Sequence, residues 1–264
     1  MLLAVDIGNT NIVLGLFEEK TLTTSWRLAT LHDCTAAELW MSVNRLFVEN
    51  EIDSRQLDGV VFSSVVPAIT KIMIEMVLSR LGRDSLCVNA DNAGIRVLYD
   101  NPEEVGADRL VNAIAARTRY GQTGGAMIVI DFGTATTFDA VSESGAYLGG
   151  LICPGVEISA DALFQRTAML PRVDVKKPTE LIGRTTVASM RSGLFFGYVS
   201  MVEGIVQRLQ RQLTGDVPAV CVATGGLAQA VTADTAIIDY IDLDLTLYGL
   251  QMVWERNKEK RPGQ

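Results

Sequence analysis

Apolar, strand-like runs fill residues 2–7, 12–17 and 21–29, separated by the turn-forming Gly8-Asn9-Thr10 and the charged Glu18-Glu19-Lys20. This spacing predicts a β-meander. Leu39, Val43, Leu46 and Phe47 then recur at helical spacing, so residues 35–49 read as an amphipathic helix with Thr35 as its N-cap. Residues 59–65 form a buried strand stopped by Pro67. Ile69, Ile72, Met73, Met76, Val77 and Leu81 mark a second helix, residues 85–89 another strand, and Gly106 to Arg117 an alanine-rich helix that begins just after a glycine.

Tyr120-Gly121-Gln122-Thr123-Gly124-Gly125 breaks the chain, and the segment after it repeats the beginning. Met127 to Ile130 is again an apolar strand, followed by Asp-x-Gly-Thr and a second apolar strand through Val141. Residues 147–153 predict a third strand before the Pro154-Gly155 turn, 156–167 a helix, 171–178 a polar connection, and 187–212 a long helix. Residues 219–223 predict a strand ending in Thr224-Gly225-Gly226, residues 236–239 a last short strand, and 245–255 a closing helix. Each half therefore reads approximately β-β-β-α-β-α, with domains expected at 1–120 and 121–264. The opening strands lack the helix that a parallel crossover requires, so a duplicated mixed α/β architecture fits better than a doubly wound nucleotide fold.

Composition narrows the class. A chain of 264 residues that is 48% hydrophobic and 20% charged is globular throughout and large enough for two domains of about 130 residues. The formal net charge of −8 opposes loose binding to nucleic-acid backbones. The one basic cluster, Arg256-Asn257-Lys258-Glu259-Lys260-Arg261, reads as a solvated helix end. The four cysteines show no Cys-x-x-Cys spacing, no leader-like segment opens the chain, and no apolar run approaches membrane-spanning length, so the reading is a cytoplasmic protein without structural zinc or membrane attachment. The single histidine, His32, lies in a polar loop. A general base elsewhere must then be a carboxylate.

Asp6 and Asp131, each inside an Asp-x-Gly turn between apolar strands, are the unusual features. A lone carboxylate in such a turn can simply accept bonds from turn amides. Two of them, one heading each half, favour chemistry. Glycine bends the backbone and clears space, so the amides of Gly8, Asn9, Thr10 and Asn11 are expected to face phosphate oxygens. Thr10, Asn11, Thr134, Thr136 and Thr137 add uncharged donors, and the aspartates suit a hard cation that bridges to phosphate. Thr224-Gly225-Gly226 suits close approach to a nucleoside.

In order along the chain, Asp6-Ile7-Gly8-Asn9-Thr10-Asn11, Ser64-Val65-Val66-Pro67, Tyr99-Asp100-Asn101-Pro102, Gly106-Ala107-Asp108-Arg109, Asp131-Phe132-Gly133-Thr134-Ala135-Thr136-Thr137, Pro154-Gly155, Ile182-Gly183-Arg184 with Thr186, Ser192-Gly193 and Thr224-Gly225-Gly226 resemble the type III pantothenate kinases. These belong to the acetate and sugar kinase/Hsc70/actin superfamily. The resemblance implies duplicated ribonuclease H-like, actin-like ATPase domains with mixed sheets flanked by helices. It also implies ATP-dependent phosphorylation of pantothenate to 4′-phosphopantothenate, the first step of coenzyme A synthesis. Residues Asp6, Ile7, Gly8, Asn9, Thr10, Asn11, Ile12 and Val13 would form the ATP phosphate loop, and Thr134 would contact ATP. Asp108 would be the catalytic base, and Tyr99, Gly106, Ala107, Asp108 and Arg109 would bind pantothenate. Asp6 would position Mg2+ and phosphate, and Asp131 would help hold a monovalent cation, K+ or NH4+. Thr186 would reach a substrate in the neighbouring subunit of a homodimer with composite sites. The chain departs from the family pattern at Thr185, where asparagine is usual.

Asp108 also has an independent argument. It falls in the first turn of a helix, where the dipole and unpaired amides favour a carboxylate, with Arg109 beside it. Two other readings compete: a superfamily kinase acting on another small hydroxy compound, and a non-enzymatic accessory factor in transcription. The acidic balance and the absence of a helix-turn-helix signal oppose the latter.

Overall fold

The computed structural model describes residues 1–213, 215 and 217–258. It contains two five-stranded mixed sheets of one topology. In the first, the order is β3 (Thr21–Ala29), β2 (Asn11–Glu18), β1 (Leu2–Ile7), β4 (Gly59–Ser64) and β5 (Ser85–Cys87), with β1 to β3 antiparallel and β4 and β5 parallel to β1. In the second, β8 (Tyr147–Pro154), β7 (Ala135–Val141), β6 (Met127–Phe132), β9 (Val220–Thr224) and β10 (Tyr240–Ile241) repeat that arrangement.

The repeat holds residue by residue. Asp6 and Asp131 are each the fifth residue of a six-residue central strand, and every other residue of those two strands is buried. Such a strand, flanked on both sides, must be apolar along its whole length rather than alternating. That requirement makes the aspartates conspicuous.

In the first sheet, Leu3, Val5, Ile7, Val60 and Phe62 pack into one core with Leu39, Val43 and Phe47 of α1 (Ala36–Glu49) and Ile69, Met73 and Met76 of α2 (Pro67–Met76). Thr35 caps α1 in a reciprocal box with Glu38, as its position predicted. Pro67 both ends the strand region and opens α2, where a missing amide costs nothing. A short helix, α3 (Ala90–Ala93), follows β5.

In the second sheet, Ile128, Ile130, Phe132, Phe138 and Cys221 share a core with Phe195, Val199, Val202 and Val206 of α6 (Thr186–Gln212). The helices α5 (Val156–Arg166) and α7 (Ala228–Thr232) complete this set. A segment not foreseen, residues 96–99, runs along β8: Val97 bridges Tyr147 in parallel, and the Leu98 amide donates to the Tyr147 carbonyl at 2.8 Å.

The chain divides into two compact units, but not at residue 120 as the sequence break implied. One unit is Met1–Ile95 with Asp100–Ala115 and the closing helix α8 (Leu245–Lys258); the other is Arg96–Tyr99 with Ala116–Asp244. The division falls inside α4 (Ala107–Tyr120), and α8 returns to the first sheet. The reason is close packing there: a Cβ at Gly59 would meet the Trp254 ring at 2.2 Å, and one at Gly249 would meet the Val111 carbonyl at 2.1 Å. Periodicity identifies an amphipathic helix without naming the sheet it covers.

Two smaller expectations are corrected. Residues 236–239 are not a strand; pairing with β9 begins at Tyr240, because Asp239 bonds Cys221 through both its amide and its carboxylate. The basic tail is not simply solvated, since Arg256 donates to the Gly94 carbonyl and Asn257 to that of Asn92. Glu259, Lys260 and Arg261 lie outside the described residues.

Candidate active site

In the first unit, Asp6 projects near the C-terminal end of β1, between Val13 of β2 and Ser63 of β4. The fully buried Ser63 hydroxyl donates to Asp6 Oδ1 at 2.8 Å. The two residues after β4, Val65 and Val66, lead into α2. The Val65 amide donates to the Ile7 carbonyl at 3.1 Å, and Val65 also lies beside Gly106, the residue just before α4.

Gly106 has no side chain for a local steric reason. A Cβ there would lie 2.4 Å from Asp108 Oδ1, because the Asp108 carboxylate folds back to accept the Arg109 amide at 2.9 Å. Gly106, Ala107, Asp108 and Arg109 thus form one turn whose second half orients the carboxylate and whose first half makes room for it. Ala107 and Arg109 are buried.

The charge of one carboxylate of this unit, Asp108, bears on the other, Asp6. Burial, and next the charge of Asp108, push Asp6 up to about 7, with the Ser63 bond and the Arg27 charge opposing. Asp108 is also raised, by burial first, against the lowering effect of the Arg109 amide and charge. The ionising influence expected from Arg109 is therefore present but outweighed, and Asp108 is a better proton acceptor than an exposed aspartate.

The β1–β2 turn shows that Gly8 differs from its neighbours. Its amide closes the turn on the Asn11 carbonyl at 2.9 Å, so it is not aimed outward as the sequence suggested. Asn9 and Thr10 are exposed, whereas Ile12 is buried in β2 and Val13 is half-buried beside Asp6.

In the second unit, Asp131 lies between Thr137 of β7 and Thr224 of β9. Gly225, at a φ of +91°, passes so close that a Cβ would come within 2.5 Å of Asp131 Oδ1 and 2.7 Å of the Phe132 backbone. This glycine is therefore explained by its approach to Asp131. Thr134 is exposed at the turn, but its companions are used internally: Thr136 is buried and shares a 2.8 Å bond with the Tyr198 hydroxyl, and Thr137 donates to Asp139 at 3.1 Å. Tyr99 lies over the backbone of Gly149 in β8 and is 38% exposed.

Thr186 is the exposed first residue of α6, and Thr185 is its N-cap, accepting the Ala188 amide at 3.1 Å. Threonine and asparagine are both good caps, which accounts for the departure at position 185. Sequence reasoning missed Ser63, Tyr198 and the Asp139–Tyr147 pair, linked at 2.7 Å. Only strand register and tertiary pairing reveal them.

Among the described residues no group of three or more His, Cys, Asp or Glu side chains forms a metal cluster, and no helix is long and apolar enough to cross a membrane.

Comparison with known proteins gives consistent results. A family model described as type III pantothenate kinase matches residues 2–208. A type III pantothenate kinase from Moorella thermoacetica is 47% identical over 258 residues, covering 97% of this chain and all of that protein. A solved structure from Campylobacter jejuni, described as a candidate Baf family transcriptional activator, superposes with a TM-score of 0.61 at 17% identity over 97% of this chain and 99% of its own. A candidate 2-dehydro-3-deoxygalactonokinase from Sinorhizobium meliloti gives 0.59 at 11% identity over 97% and 99%. At such identities these structures establish the fold, which is that of the actin-like ATPases and sugar kinases.

Proposed function

The chain belongs to the type III pantothenate kinases, and on that premise we propose that it transfers the γ-phosphoryl group of ATP to pantothenate. The product is 4′-phosphopantothenate, and the reaction opens coenzyme A synthesis. The observation that carries the residue assignment is the pairing in the first unit of two desolvated carboxylates, one at a strand end and one in the first turn of a helix.

Asp108 takes the proton of the pantothenate hydroxyl. Phosphoryl transfer through a loose transition state asks for orientation and late proton acceptance, which a desolvated aspartate fixed by its own helix turn supplies. Arg109, Ala107, Gly106 and Tyr99 hold pantothenate, and Thr186 serves the site of a second copy in a homodimer. The turn from Asp6 to Val13 holds ATP phosphates, and Thr134 contacts ATP.

Asp6 fits Mg2+, an ion that keeps several waters and is held by one or two carboxylates plus phosphate oxygens. Bound there, it would neutralise charge on the transferring group. The Asp6 proton, retained near neutrality, must leave first. Asp131, flanked by Thr137 and Thr224, suits a monovalent cation, K+ or NH4+, through oxygen donors. A reaction of this kind belongs in the cytoplasm.

The test is product identification. Incubation with ATP and a panel of small hydroxy compounds, followed by mass spectrometry, should give 4′-phosphopantothenate from pantothenate. Phosphorylation of another acceptor with pantothenate inert would replace this reading by that of a different small-molecule kinase.

A further inference from the structure

The carbonyl groups of the β1–β2 turn are taken up by one short segment. Immediately after β3, the Thr30 hydroxyl donates to the Gly8 carbonyl at 2.7 Å, the Thr30 amide to the Thr10 carbonyl at 3.0 Å, and His32 Nε2 to the Asn9 carbonyl at 3.2 Å. The oxygen acceptor requires that Nε2 carry the proton. Three consecutive peptide oxygens therefore face residues 30–32.

A planar trans peptide directs the carbonyl of one residue and the amide of the next in opposite directions. The Asn9, Thr10 and Asn11 amides must then face away from residues 30–32. Successive amides directed to one side make an anion-binding concavity.

We infer that Thr30 and His32 are positioning residues for nucleotide phosphates, acting by holding the turn's carbonyls so that its amides face the opposite way. This inference rests on the proposed reading of residues 6–13 as the phosphate turn.

The second unit repeats the device independently. Thr10 and Thr134 are each the last residue before the second strand, and Thr30 and Gly155 each directly follow the third. The Gly155 amide donates to the Thr134 carbonyl at 3.2 Å, as the Thr30 amide does to Thr10. Gly155 approaches so closely that a Cβ would meet the Thr134 oxygen at 2.2 Å, leaving no room for a side-chain brace. The first unit has that room and fills it with a hydroxyl and an imidazole.

This makes a graded test available. Thr30→Val keeps shape, strand propensity and the backbone bond while removing the hydroxyl donor, and His32→Ala removes an exposed ring. Direct binding of ATP and of adenosine, measured without acceptor, should be compared for wild type, both variants, the double variant, Thr30→Ser and His32→Gln. Each single variant is expected to weaken ATP binding by about five- to tenfold and the double by about fiftyfold. Adenosine affinity should stay at the wild-type value and the melting temperature within a few degrees of it, and Thr30→Ser and His32→Gln should restore ATP binding.

Unchanged ATP affinity in Thr30→Val and His32→Ala would overturn the inference. So would an equal loss for adenosine, which would mean general loosening of the fold. A wild-type chain that binds ATP but leaves pantothenate unphosphorylated would refute the functional reading alone, because the brace is read from ATP binding.

Discussion

Replacing Asp6 by asparagine should stabilise the cation-free protein while abolishing its turnover. Asparagine is isosteric, and its Oδ1 still accepts the Ser63 hydroxyl that bonds Asp6 at 2.8 Å. What it removes is a charge held among desolvating neighbours and close to Asp108. Asp6 is pushed from 3.8 to about 7, so between those values the folded protein holds a proton that the unfolded chain releases. Stability contributed by the neutral form is complete below about pH 4 and is lost as the pH rises through 7. At about 1.4 kcal/mol per unit, the wild type loses about 2 to 3 kcal/mol from this group between about pH 5 and pH 8, and the variant loses none of it.

Urea unfolding of both proteins without divalent cations at several pH values measures the difference directly, provided the slope m is the same for both. Comparing the pH dependence of the two proteins cancels contributions specific to asparagine. Mg2+ with a nucleotide should recover the lost stability in the wild type at the alkaline end and do little for the variant. Parallel pH profiles, or a steeper loss in the variant, would refute the claim that burial in the folded protein raises the Asp6 carboxyl to about 7.

The same titration predicts that the KM for Mg·ATP falls as pH rises through about 7 and then levels off, which initial rates at saturating pantothenate will show. Asp108→Asn should lower kcat by at least about 100-fold with ATP binding intact; full activity would remove Asp108 from the base role. Gly106→Ala should also lower kcat, by tenfold or more on the order-of-magnitude scale of misplaced catalytic groups, because its methyl would lie 2.4 Å from Asp108 Oδ1; an unchanged rate with unchanged melting temperature would contradict the packing argument. Thr185→Ala should cost about 1 kcal/mol and Thr185→Asn almost nothing, since position 185 caps α6, as urea midpoints will report.

Strands, most helices and the duplication were legible because they arise from short-range patterns. Central strands buried on both faces must be apolar, so Asp6 and Asp131 stood out, and the helix begun after Gly106 placed Asp108 in its first turn. The features that were not legible depend on contacts far apart in sequence. Ser63 meets Asp6 through parallel register, which no local spacing encodes. The return of α8 to the first sheet depends on Trp254 filling the space above Gly59. The three threonines of Thr134 to Thr137 look equivalent in sequence, yet Thr134 is exposed in the turn before β7, whereas Thr136, inside that strand, is buried against Tyr198. Arg109 next to Asp108 gave the right interaction and the wrong balance, because the depth of burial that outweighs it is a tertiary property.

The most direct test of the central claim is ADP release by the purified chain with ATP and Mg2+, with pantothenate and K+ each present or omitted. The account predicts release that requires both pantothenate and the monovalent cation. Release that proceeds equally without pantothenate, or fails in the complete mixture, would contradict it.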